Sequence, residues 1–291
     1  HNSFLSLYDI RIPPLIQSKW GQASVNWQPC YNYYTPKQYP AGCMATGLAQ
    51  LMRYHQYPAA PVGRIGNYIS WDGEWNSSLT FLVGGDGLGG AYNWSLMPLV
   101  PVDGVTTEEC RAIGALCFDA GIALSMNYKA EVSSSQADLM TSALLYYFQY
   151  SNAMLAPQKA AGYSVDEFQA MFNSNLDAGF PVVLAVASTT ELSGHRLIAD
   201  GYGYRQSSRY HHLNMGWDGK ENAWYNLPNM ITTYYHHDVI QAIGYNIYPS
   251  GTGEIISGRI YDKQGRLLEG VTVSIRSEER RVGKEFRSRW S

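Results

Sequence analysis

The chain predicts an α+β fold, and three observations carry that reading. Capped, amphipathic helical stretches occupy the sequence as far as Gly179. Strand-like segments separated by glycine and polar turns follow from Phe180 to about Pro249. Helices first and strands afterwards argue for an antiparallel sheet with segregated helices rather than alternating βαβ units. The 291 residues are 45% hydrophobic and 15% charged, a globular composition able to bury a substantial core. A net charge of −3 gives no electrostatic reason to expect nucleic acid or an anionic membrane as partner. No apolar run reaches the ~18 residues of a membrane span.

Taken in order, residues 1–42 read as irregular, because Pro13, Pro14, Pro29, Pro36 and Pro40 interrupt any long element. The stretch "GCMATGLAQLMRYHQYP" predicts a helix from Cys43 to about Gln56, with Met44, Leu48, Leu51, Met52 and His55 at helical spacing and Pro58 beyond its end. Residues 59–100, rich in Gly, Trp and Asn, read as loops with short strands. A second helix is expected over 106–124, with Thr106 and Glu109 spaced as a capping box. A third is expected after the serines at 133–135, running to about Phe148. A fourth starts at Ser164, again with a boxed glutamate at Glu167, and stops near Gly179. The expected strands are "FPVVLAVAS", "HRLIADGYGY", "RYHHLNMGW", "NAWYNL" and "QAIGYNIYP".

Residues 1–250 thus form one expected domain. Residues 251–277 hold two short strands around a Gly-containing turn and resemble the opening of a small β-sandwich module, too short to close by itself. Residues 278–291, with five basic and three acidic side chains, break from the preceding pattern and read as a non-native tail. The start at His1, without a signal-like segment, reads as a processed or truncated product. Of the four cysteines, Cys110 and Cys117 stand seven apart on one helix, about 10 Å along its axis, and read as core residues. Cys30 can be free or paired.

Cys43 is different. It follows Gly42 at the first turn of a helix, where unsatisfied N–H groups favour a thiolate. A nucleophilic cysteine needs a base held by a third group. His195, after Gly194 at the start of an apolar strand, supplies the base. Asn214, on the next expected strand, offers an oxygen for the other imidazole N–H. On residue chemistry alone, nucleophile and buried core thiol both stay open. The pairs His211–His212 and His236–His237 read as structural or surface, since neighbours on a strand point to opposite faces and do not chelate together.

Three segments resemble the streptopain family of bacterial papain-like cysteine peptidases. The first is Gly42-Cys43-Met44-Ala45-Thr46 with Ala49-Gln50-Leu51-Met52, Tyr54-His55 and Tyr57-Pro58. The second is Gly194-His195 with Asp200-Gly201. The third is His212, Asn214, Gly216, Trp217 and Gly219. They stand in family order, and the similarity spans residues 15 to about 248. The resemblance implies a papain-like fold, with a helical side carrying the cysteine packed on an antiparallel sheet carrying the histidine. It implies an endopeptidase acting through an acyl-enzyme, with Cys43 as nucleophile, His195 as base and acid, and Asn214 as orienting residue. It also implies an oxyanion glutamine upstream. Gln22 in "KWGQASVNWQPCYN" fits best and Gln28 is the rival. Ser134 and Gly194 match substrate-contact positions, although the Gly-Pro that precedes the family's serine loop is absent here. Met215 stands where relatives have tryptophan, and Trp217 is expected to take over the covering role and to border substrate. The resemblance calls for no metal or organic cofactor. It implies protein or peptide substrates, an inhibitory propeptide in the precursor, and secretion or cell-surface display by a bacterium. The rival readings are a catalytically inactive relative serving as a binding or adhesion module and, from the Trp and Tyr content alone, a glycan-binding β protein.

Overall fold

Helix α1 (Cys43–His55) starts abruptly because Gly42 holds φ +94°, a conformation open to glycine and costly for other residues. It stops because Gln56 turns left-handed and returns its N–H to the carbonyls of Met52 and Arg53. Met44, Leu48, Leu51 and Met52 are buried, so α1 runs through a hydrophobic core. The computed structural model describes residues 7–73, 76–157, 164–191, 193–258, 260–266, 268 and 270–272. Helix α2 (Thr107–Ala123) begins at the expected Thr106/Glu109 capping box, with both reciprocal hydrogen bonds formed. Helix α3 (Leu139–Tyr147) starts later than the serines suggest. The backbone of Ser134 exchanges hydrogen bonds of 2.9 and 3.0 Å with Asn127, and those groups cannot also open a helix. Helix α4 (Val165–Asp177) carries the expected Ser164/Glu167 box.

The strands in chain order are β1 (Asp9–Ile12), β2 (Ser24–Val25), β3 (Gln28–Pro29), β4 (Gly66–Trp71), β5 (Ser77–Phe81), β6 (Asn127–Tyr128) and β7 (Asn152–Pro157). They continue with β8 (Val182–Ala187), β9 (Gly194–Arg205), β10 (Ser208–Asn214), β11 (Ala223–Tyr225), β12 (Met230–Ile231), β13 (His236–His237) and β14 (Val239–Tyr248). The main sheet runs β11-β10-β9-β8-β14-β7, antiparallel throughout, and β1 pairs with the far half of β9. β1 lies in the segment whose prolines suggest irregular chain, and β7 carries no strand signal strong enough to read beforehand. Both are short strands completed by the sheet they join.

The two faces of the sheet are occupied by different cores. Val183, Ala185 and Ile198 pack with the α1 and α2 residues in one cluster. Val182, Leu184, Val186, Leu197 and Ala199 pack with Phe168, Phe172 and Leu176 of α4 in the other. Each such large side chain contributes about 1.5–3 kcal/mol on burial, so period-2 alternation is enforced on β8 and β9 from both sides.

The chain divides into two compact units, His1–Ser257 and Gly258–Ser291. In the second, a turn closes at Asp262, whose N–H donates to Arg266 and whose carbonyl accepts from Gly265. Gly265 has φ +79° there. The tail expected at 278–291 lies outside the described residues. No helix among the described residues is long and apolar enough to cross a membrane.

Candidate active site

Cys43 is the first residue of α1 and is half-buried, whereas Cys30, Cys110 and Cys117 are fully enclosed. The backbone N–H groups of Arg196 on β9 and of Met44 and Cys43 at the helix start act on its thiol in favour of the anion. These donors and the Arg196 guanidinium favour a thiolate, but burial opposes it more strongly, and the net direction is upward from the ordinary thiol value. The helix start alone suggests a lowered value. The site corrects that expectation, because the packing that brings β9 against α1 also removes water from the sulfur.

His195 stands one residue before Arg196 at the opening of β9, 5% exposed. Its Nε2 lies 2.8 Å from the Met215 carbonyl. A carbonyl only accepts, so Nε2 carries the proton and Nδ1 is the free base. Trp217 covers the ring, with centroids 4.6 Å apart and planes tilted by 35°. Burial, first, and then the Arg196 charge push the imidazole down to about 4, against the Met215 carbonyl, which favours the cation.

The described hydrogen bonds of the Asn214 amide go elsewhere than to His195, whose Nε2 is held by the Met215 carbonyl. Asn214 is paired with Ile198, which packs with the α1 core, and its amide is bonded on that side. There its Nδ2 donates to the Ser18 carbonyl at 2.8 Å, and its Oδ1 accepts from Gln50 Nε2 and from the Gly216 N–H, each at 3.1 Å. The strand ends at Asn214, and Gly216 at φ +67° turns the chain. Trp217 therefore reaches His195 from a turn rather than from a continued strand, and Met215 is wholly buried beneath it. The orienting role of the Met215 backbone carries no sequence signal beyond its place beside Asn214.

Gln22 is joined to the same site. Its carbonyl accepts from the Ala41 N–H at 2.8 Å, two residues before Cys43, and its Nε2 lies 3.4 Å from the Gly216 carbonyl. Gln28 instead donates to Thr107 Oγ1 at the start of α2. Ser134 is exposed, and the carbonyl of its neighbour Ser133 would lie 3.2 Å from a β-carbon placed on Gly42. Gly194 is exposed at the β9 start, with room for only a close fit beside Val186 O and Arg196 Nη1, each 3.4 Å from a built β-carbon. Of the other histidines, buried His237 lies near enough to His195 to feel its charge, and its ring stands 5.7 Å from that of Tyr235, which neighbours Trp217. His211 is buried with Nε2 2.8 Å from Asn173 Oδ1, and His212 pairs with Asp200 at 2.7 Å.

A free helix-start thiol, a buried imidazole with one nitrogen fixed, and a nearby primary amide are the parts of an acyl-transfer site. A profile of the peptidase C10 family matches residues 20–225, which contain Gln22, Cys43, His195 and Asn214. The chain belongs to the peptidase C10 family. Among curated C10 relatives, the thiol protease/hemagglutinin PrtT of Porphyromonas gingivalis is 28% identical over 197 residues, 65% of this chain and 20% of that protein. Streptopain of Streptococcus pyogenes is 24% identical over 186 residues, 64% of this chain and 45% of that protein. The chain therefore spans less than half the length of these relatives. The active interpain A cysteine protease of Prevotella intermedia superposes with a TM-score of 0.67 at 23% identity, over 80% of this chain and 93% of that one. That likeness shows the C10 papain-like α+β fold for this chain.

Proposed function

We propose that this chain is a cysteine endopeptidase that cleaves peptide bonds in proteins through a Cys43–His195 pair. The observation that carries this reading is local. The backbone of Arg196, the residue after His195, is near enough to the Cys43 thiol to favour its anion, while Met215 holds Nε2 of that histidine and leaves Nδ1 as a base. Burial holds thiol and imidazole neutral when each is considered alone. The thiol proton therefore passes to His195 as sulfur attacks the substrate carbonyl, forming the C–S bond and an oxyanion. The N–H of Cys43 and the amide of Gln22, released from Gly216, donate to that oxyanion. One such donor contributes about 3–4 kcal/mol in comparable sites. His195 then protonates the leaving amine, the C–N bond breaks, and water, deprotonated by His195, hydrolyses the thioester.

Ser134, Gly194 and Trp217 border the substrate in this reading. The peptidase body is residues 1–250, and residues 251–277 open an appended β-module. Export from a bacterial cell and a precursor with an inhibitory propeptide complete the proposal. They are supported by the secreted nature of the family that the chain resembles and by a solved prointerpain A fragment with a TM-score of 0.64.

The test is labelling with an epoxysuccinyl thiol inhibitor, mapped by mass spectrometry, beside hydrolysis of a denatured protein. The expected result is one label on Cys43, blocked hydrolysis, and loss of both in Cys43→Ala. An unlabelled, inert wild type would favour the binding-module reading. Hydrolysis that persists in Cys43→Ala would end the assignment.

A further inference from the structure

We propose that Gln50 is a positioning residue of the active site, a buried amide that sets two peptide segments, one that holds and covers the base and one that carries the oxyanion donor. The proposal rests on the reading of Cys43 and His195 as the reacting pair. Gln50 lies on α1, two helical turns beyond Cys43 and on the same face, and is fully buried. Its Oε1 accepts from Ser18 Oγ at 2.9 Å, from the Trp20 N–H at 3.1 Å and, at a longer 3.3 Å, from Asn214 Nδ2, and its Nε2 donates to Asn214 Oδ1 at 3.1 Å. Asn214 continues the network to the Ser18 carbonyl and the Gly216 N–H.

The two segments tied together are functional on both sides. Residues 18–22 end in Gln22. Residues 214–217 contain the Met215 carbonyl that holds His195 and the Trp217 ring that covers it. A second tie from α1, Thr46 Oγ1 to the Gly21 carbonyl at 3.1 Å, lies one turn nearer to Cys43.

Backbone chemistry fixes which end of each amide points where. The Ser18 carbonyl can only accept and the Gly216 N–H can only donate, so Asn214 must present nitrogen to the first and oxygen to the second. Residue 50 must then donate to an Asn214 oxygen and accept from the Trp20 N–H with the same planar group. Glutamine does both. Ionised glutamate cannot donate, and methionine can do neither well. A buried donor or acceptor left unpaired is costly, and the two segments would move to find water.

The experiment compares Gln50→Glu and Gln50→Met with wild type for kcat, KM, pH profile, inhibitor labelling of Cys43 and thermal unfolding. At neutral pH both variants should lose on the order of 10²-fold in kcat, the scale of a misplacement of about 1 Å, with a smaller change in KM. Gln50→Glu should regain activity relative to Gln50→Met as the pH falls, because a protonated carboxyl again donates to Asn214 and accepts from Trp20. A purely structural role would lower the unfolding temperature and leave kcat and its pH profile as in wild type at a permissive temperature, and that result would overturn the proposal. If neither variant folds, Ser18→Ala decides, since it removes one hydroxyl donor. A several-fold loss in kcat supports the proposal, and an unchanged kcat refutes it. A wild type that neither cleaves nor labels would instead count against the peptidase reading.

Discussion

Acidification from about pH 7.5 to 5.0 should strip this fold of nearly half the stability of a typical domain, chiefly through three histidines that their surroundings hold uncharged, with a smaller share from His237, which burial also holds down. His195 and His55 are held down to about 4 and His211 to about 3, burial being the first cause in each. The Nδ1 of His55 is bonded to Tyr150, while its Nε2 is buried without a partner. His211 is wedged edge-on against Phe172 with ring centroids 4.6 Å apart. A base whose native value is depressed takes up fewer protons folded than unfolded. Its stabilising contribution is therefore complete above about 6.5, the unfolded value, and is lost as pH falls toward the native value. At pH 5.0 each of the three costs about 2 kcal/mol. Asp119 runs the other way. Burial raises it to about 6 despite hydrogen bonds from Val83, Gly84 and Tyr92, so protonation returns about 1 kcal/mol. The net loss is about 4–5 kcal/mol, against the 5–15 kcal/mol of ordinary domains. Urea unfolding followed by tryptophan fluorescence measures it, in a Cys43→Ala background that prevents self-cleavage. His211→Phe supplies the control, being distant from Cys43. It should start less stable at pH 7.5, having lost the bond to Asn173, yet lose only about 2–3 kcal/mol on acidification. An equal loss with and without His211 would refute the reasoning.

Gln22→Ala should lower kcat by about 10²–10³-fold, whereas Gln28→Ala, whose amide serves Thr107, should stay near wild type in a steady-state peptide assay. Trp217→Ala exposes the face of His195 and should move the acid limb of the kcat/KM profile upward from near pH 4 toward the ordinary imidazole range. An unmoved limb would show that the indole does not govern the environment of the base. Gly42→Ala forces φ +94° on a residue with a β-carbon, 3.0 Å from Met126 Cε and 3.2 Å from Ser133 O. It should cost about 1–3 kcal/mol by denaturant titration and slow inhibitor labelling of Cys43.

The local features are legible along the chain. Thr106/Glu109 and Ser164/Glu167 start their helices through hydrogen bonds made within four residues of chain, so the caps are legible without any fold. The glycine before Cys43 marks the abrupt start of α1 for the same reason, and it is the resemblance of three segments to the streptopain family, not the order of Cys43, His195 and Asn214 alone, that points to the candidate chemistry. How those residues meet follows from packing between distant parts of the chain. Which atom holds His195 depends on where the chain turns after β10: the Asn214 amide bonds to Gln50 and Ser18, and the Met215 carbonyl takes the imidazole. The thiol of Cys43 shows the same division. The helix start that lowers its pKa is written in the sequence. The burial that outweighs it arises when β9, some 150 residues further along the chain, is pressed against α1. β1 and β7 stayed hidden because an edge strand takes its hydrogen bonds from the sheet it joins, and no residue within such a strand specifies that partner.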